Sequence, residues 1–139
     1  MTSNFDRSIA FVLKHEGGYI NNSRDIGGET KYGISKRAYP TVDIKNLTEE
    51  QAKEIYLTDY WIKAECDKLE WPLCVIHFDT AVNMGVARAQ SFLTLTTSWR
   101  LYLGFRLKQY TMIVDRNNRQ DVFFVGWVNR VISLWRLAL

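Results

Sequence analysis

Glu16, Asp25 and Thr30 are the residues of this chain whose types and spacing suit acid–base chemistry. Splitting a glycosidic bond takes two carboxyls. One protonates the leaving oxygen, and the other, ionised, activates water or stabilises the oxocarbenium-like centre. A glutamate closing an apolar helical run and an aspartate in the Gly-rich loop after it can face each other across a cleft. An apolar surround would keep Glu16 protonated near neutral pH, while a more solvated loop would leave Asp25 charged. Such a pair is common in sequences, and the same residues also read as a surface Glu and an Asp in an Asx-type turn.

Periodicity indicates the elements that must hold these groups. Phe5, Ile9, Val12 and Leu13 recur at helical spacing, with Ser3 or Asn4 as N-cap and Gly17-Gly18 as the stop. The stripe runs on to Glu16, which places the glutamate on the core face at the last turn. Residues 17–34 suit a short β-hairpin or irregular loop, with "TKYGIS" as its strand. Thr48 and Gln51 make a capping box that opens a helix through "EEQAKEIYLTDYWIKAE". Pro72 suits the first turn of the next helix, "PLCVIHFDTAVNMG", whose nearly unbroken apolar run predicts burial on most sides. Further helices are expected over 86–98, 100–115 and 121–138. Phe123, Phe124, Trp127, Val131, Leu134 and Trp135 give the last one a broad apolar face. It is expected to pack on the helix at 72–84, directly or through a partner chain. The fold expected is mainly α, one domain over residues 1–139 with a small hairpin lip.

Composition narrows the class. The chain has 139 residues, 47% of them hydrophobic and 24% charged, which excludes disorder as the default. Its net charge of +3 would suit an anionic polymer without demanding one. No run of basic residues and no interleaved Arg and aromatic stack appears, so nucleic acid is not an expected partner. The two cysteines, Cys66 and Cys74, lack metal spacing and read as packed, reduced thiols. The first residues show no basic segment followed by an apolar one, so a secretory leader of the usual kind is not expected. "VFFVGWVNRVISLWRLAL" is broken by Asn129, Arg130 and Arg136, and reads as an amphipathic core helix, not a membrane anchor.

The remaining candidates have quieter readings beside the chemical ones. Tyr19, Tyr32 and Trp61 could stack on sugar rings or fill the core. His15 adjoins Glu16, but neighbouring helical residues point apart, so it reads as a surface side chain. His77 falls inside the buried helix and reads as a hydrogen-bonded core histidine. Asp79 and Asn83 share one helix face, and structural hydrogen bonding is favoured for both over substrate contact. No cluster has metal-ligand spacing, and "GGETKYG" lacks the Lys-Ser/Thr ending of a P-loop.

"VLKHEGGYINNSRDIGGETKYGISK", "FDTAVNMGVARAQSFL" and "GWVNRVISL" occur in that order and span most of the chain. Together they resemble the signature blocks of glycoside hydrolase family 108, the phage- and prophage-associated N-acetylmuramidases. The resemblance implies a lysozyme-like fold, hydrolysis of peptidoglycan and no cofactor or metal. It places the family's catalytic glutamate on Glu16, which opens E-G-G-Y. The order Glu, Asp, Thr also resembles phage-type lysozymes, which implies that Asp25 and Thr30 position the attacking water in an inverting reaction. Tyr19, Tyr32 and Asn83 are the candidate substrate contacts.

Ile26 stands where the family pattern has Pro, and Glu29 where it has a small residue. The family's wall-binding-like insert before the final helices is expected to be absent near 95–100. The expected function is cleavage of the β-1,4 bond between N-acetylmuramic acid and N-acetylglucosamine, as in an endolysin released to the wall by a holin-like route. A non-catalytic wall-binding or secretion-accessory protein of the same fold is the alternative. Glycan strands are the expected partner, a homodimer stays open, and stable membrane insertion is not expected.

Overall fold

The computed structural model of the chain describes residues 2–21 and 28–139. Helix α1 (Asn4–His15) opens on Ser3, whose hydroxyl accepts from the Asp6 amide while the Asp6 carboxylate accepts from Ser3 in return. Three short antiparallel strands follow, β1 (Ile20–Asn21), β2 (Glu29–Lys31) and β3 (Ile34–Ser35), in the order β1-β2-β3. Thr30 in the middle strand pairs with Ile20 on one side and Ser35 on the other.

"TKYGIS" is therefore not one strand. Tyr32 and Gly33 take positive φ values of 53° and 79°. Two consecutive positive φ values make the tight turn whose twist suits a two-residue hairpin. They split the segment into β2 and β3 and form the lip expected beside the cleft.

Thr48 and Gln51 cap α2 (Glu49–Tyr56) reciprocally. The helix widens into a π-helical stretch over Leu57–Ile62 instead of running straight to residue 65, and a 3-10 turn spans Cys66–Lys68. Helix α3 (Leu73–Met84) is central, with every residue from Cys74 to Ala81 buried. Gly85, at φ 94°, separates it from α4 (Val86–Leu93). Ser98 then caps α5 (Trp99–Arg116) through the Leu101 amide, so α4 stops short of the expected residue 98. A 3-10 turn over Asn118–Phe123 leads into α6 (Phe124–Ala138).

Two apolar clusters meet at α3. Its Phe78 and Cys74 join Ile9, Val12, Tyr56 and Trp61 on the N-terminal side. Its Val75 and Ile76 join Tyr102, Leu103, Val131 and Leu134 on the C-terminal side. Helices α3 and α6 thus share a cluster within one chain, with α5 contributing to the same layer. The outer face of α6 leaves Val125, Ile132 and Trp135 exposed. Cys66 and Cys74 are buried free thiols, and burial pushes both thiol pKa values up. Among the described residues no helix is long and apolar enough to cross a membrane. The architecture is the mainly α, lysozyme-like one with a small sheet.

Candidate active site

Glu16 is the residue at which α1 stops. Its amide still donates to the Val12 carbonyl at 2.8 Å, but its ψ of 119° turns the chain into extended backbone. Helix α1 therefore ends one residue before Glu16, and the side chain enters a polar setting instead of the apolar one expected. The reason is an arginine. Arg130 Nη1 donates to Glu16 Oε1 at 2.9 Å, and 24% of the Glu16 side chain is exposed.

The β2–β3 turn closes on the same carboxyl. A Cβ placed on Gly33 would lie 2.9 Å from Glu16 Oε2 and 2.5 Å from the Tyr56 hydroxyl oxygen. Only glycine satisfies both the left-handed φ and that close approach. Tyr56, buried at the end of α2, donates its hydroxyl to the Tyr32 carbonyl at 2.6 Å and so pins the turn to the helix. Burial, and after it the Glu16 charge, push the Tyr56 hydroxyl far above the ordinary tyrosine range. It stays a hydrogen-bond donor at any working pH.

Behind Arg130 lies a buried ionic network. Arg130 Nε donates to both Asp79 oxygens at 3.1 Å, and Nη2 donates to Oδ1 at 2.7 Å. Arg106 Nη2 stands 2.8 Å from Asp79 Oδ2 on the other side, an ion pair without hydrogen-bond alignment. Arg106 also donates to Thr80 Oγ1 at 3.1 Å and to the Tyr110 hydroxyl at 2.9 Å. Tyr110 in turn donates to Asn83 Oδ1. Asp79 is fully buried. Burial alone would raise its carboxyl pKa, but the Arg106 and Arg130 guanidinium groups outweigh burial and hold it below the usual carboxylate range.

Most of the other sequence candidates lie among the described residues. Thr30 is half-buried in β2, three residues before Gly33. Asp25, like Ile26, lies outside the described residues. Tyr19 is 40% exposed and donates its hydroxyl to Glu29 Oε2 at 2.8 Å, so the extra acid of the hairpin is held by a tyrosine. That bond to Glu29 raises the Tyr19 pKa. Tyr32 is half-buried against the first apolar cluster, with Lys31 Nζ 5.6 Å from its ring centre. Asn83 ends the polar network at Tyr110, with Arg106, Asp79 and Arg130 between it and Glu16. Trp61 packs edge-on against Phe5 and Phe78 in the core. His15 bonds the Phe11 carbonyl along its own helix and lies on the Phe11 ring.

Arg130, Tyr56 and Gly33 were not singled out by sequence reasoning. Arg130 carries the available signal, an arginine inside an apolar helical face, but sequence alone presents it only as a break in a membrane-like run. Among the described residues no group of three His, Cys, Asp or Glu side chains could hold a metal ion. A cavity of about 620 Å³ beside α2, lined by Val42, Leu47, Glu54 and Asp59 among others, does not include Glu16.

No curated protein sequence matches the chain. Among solved structures, that of SagA from Brucella abortus superposes with a TM-score of 0.76 at 23% identity, covering 96% of this chain and 92% of that one. The likeness is one of fold. Residues 9–85, more than half of the chain, match the family described as Glycosyl hydrolase 108. That segment holds Glu16, the hairpin, Tyr56 and Asp79, and bears out the resemblance of the sequence blocks. This chain belongs to the Glycosyl hydrolase 108 family.

Proposed function

We propose that the chain cleaves peptidoglycan between N-acetylmuramic acid and N-acetylglucosamine, with Glu16 as general acid. The observation that carries the reading is the fixed placement of the Glu16 carboxyl, since the apolar setting expected to keep it protonated is not found. Its carboxyl stands at the end of α1, gripped on one oxygen by Arg130 and faced on the other by the Gly33 turn. In the reaction Glu16 gives its proton to the glycosidic oxygen as the bond to the anomeric carbon breaks. A water oxygen forms the new bond, and Asp25 takes the water's proton, with Thr30 helping to orient that water. Direct displacement of this kind inverts the anomeric centre. The substrate places the action at the cell wall, after release by a holin-like route.

Mass spectrometry of fragments released from purified sacculi tests the reading. New reducing ends on N-acetylmuramic acid are expected. Reducing-end N-acetylglucosamine would make the chain a glucosaminidase, and freed peptides without new sugar ends would sink the glycosidase reading altogether.

A further inference from the structure

We infer that Arg130 is a positioning residue for the Glu16 carboxyl, and that the C-terminal helices α5 and α6 therefore complete a site whose family-matched segment ends at residue 85. The inference rests on the reading of Glu16 as general acid.

A general acid must hold its carboxyl close to one position and orientation, within about 0.5 Å in well-built sites. Glu16 receives no such hold from its own element. It has left the helix, and Gly17 and Gly18 after it are exposed, with nothing within 4 Å of where their side chains would begin. The hold comes from α6. Arg130 directs Nη1 to Glu16 while Nε and Nη2 grip Asp79. Because the guanidinium is planar and rigid, fixing two of its nitrogens fixes the direction of the third.

Asp79 is itself immobile. It sits on the buried central helix, and Arg106 of α5 presses on its other oxygen. Arg106 is held in turn by Thr80 and Tyr110. Helices α3, α5 and α6 thus converge on one guanidinium whose free arm ends at Glu16. Lysine cannot reproduce this, since a single ammonium has no fork to grip Asp79 and reach Glu16 together. Arg130 grips the carboxyl and not the sugar, so its loss should lower kcat far more than it changes KM.

The test is steady-state kinetics of Arg130→Gln and Arg130→Lys on solubilised glycan strands, with circular dichroism to verify folding. For both variants kcat is expected to fall by ~30-fold or more while KM stays within about threefold. Added guanidinium ion should restore part of the Arg130→Gln rate and none of the Arg130→Lys rate, because lysine still fills the space. A variant of wild-type kcat, or one whose loss lies wholly in KM, would overturn the inference. Should Arg130→Gln fail to fold, the kcat and KM of Arg130→Lys decide together. Wild-type protein without activity on the strands would strike the reading of the substrate instead, and equal rates in wild type and variant would strike only the role of Arg130.

Discussion

Gly33 lies so close to Glu16 that a single added methyl group would come within 2.9 Å of the carboxyl oxygen. The hairpin lip is thus built against the acid, with no room for a side chain between them. At φ 79° the position also disfavours any residue with a Cβ, at a cost of about 1–3 kcal/mol. Gly33→Ala should therefore lose stability and activity together, and activity more, because the methyl must push either Glu16 or the Tyr56 hydroxyl aside. Thermal melts and turnover measured on one preparation check this. A stable, fully active Gly33→Ala would show that the turn can move away without consequence.

Glu16→Gln separates the role of the acid from the fold. The amide keeps the size of the carboxyl and can still accept from Arg130 Nη1, so melting should change little. Turnover should fall by ~100-fold or more, the order that general acid catalysis contributes. Glu29→Gln is the control, since Glu29 is occupied by the Tyr19 hydroxyl. Its turnover is expected within about threefold of wild type. Spectrophotometric titration should show Tyr19 ionising at lower pH once the Glu29 charge is gone. Equal activity of Glu16→Gln and wild type would move the acid elsewhere, with Glu29 next in line.

What the sequence disclosed was what lies close along the chain. The stop of α1 beside Glu16, the Thr48–Gln51 capping box and the buried run of α3 each depend on residues a few positions apart. The partner of Glu16 does not, because Arg130 lies 114 residues further on. No periodicity links them, and only the convergence of α1 and α6 on α3 brings them together. For the same reason the apolar setting expected for Glu16 was wrong. The stripe of α1 described the helix, while the side chain belongs to the residue that leaves it. The split of "TKYGIS" shows the converse, a local feature hidden by its pattern. Thr, Tyr and Ile there suit a strand, and only the positive φ values of Tyr32 and Gly33 disclose the turn.

His77 sets a pH dependence of stability distinct from that of the site. Its Nδ1 lies 2.8 Å from the Tyr102 hydroxyl and its Nε2 lies 3.0 Å from the Ala64 carbonyl. A carbonyl can only accept, so Nε2 carries the proton and Nδ1 accepts from Tyr102. Burial lowers the pKa of this histidine. The unfolded chain, with an ordinary value of about 6.5, then binds the proton first. Stability should therefore decline as pH drops below about 6.5, and go on declining until the folded-state value is reached. Asp79 behaves differently. Its folded value is depressed, so its contribution is full above the ordinary carboxylate value of about 3.9 and is lost progressively as pH falls from there through the folded value. Melting temperatures from pH 7 to 5 should show the first slope in wild type and a flatter one in His77→Gln. Parallel curves would assign the proton uptake to another group.

The configuration of the released sugar bears on Asp25 and Thr30. Inversion needs a water between the base and the anomeric carbon, and carboxyls roughly 6.5–9.5 Å apart to hold it. Thr30 sits in the middle strand of the sheet, three residues before Gly33, whose turn meets Glu16. That strand is tied to its neighbours on both sides, which fixes the backbone that carries the hydroxyl. A β-linked strand cut by direct water attack should first release the α-anomer, and proton NMR before mutarotation reads that directly. Asp25→Asn should cut turnover by ~100-fold, and Thr30→Ala by less, since the hydroxyl orients the water without taking its proton. A β-anomer as first product would mean a covalent or substrate-assisted route. Asp25 would then be a nucleophile or a bystander, and the role given to Thr30 would fall with it.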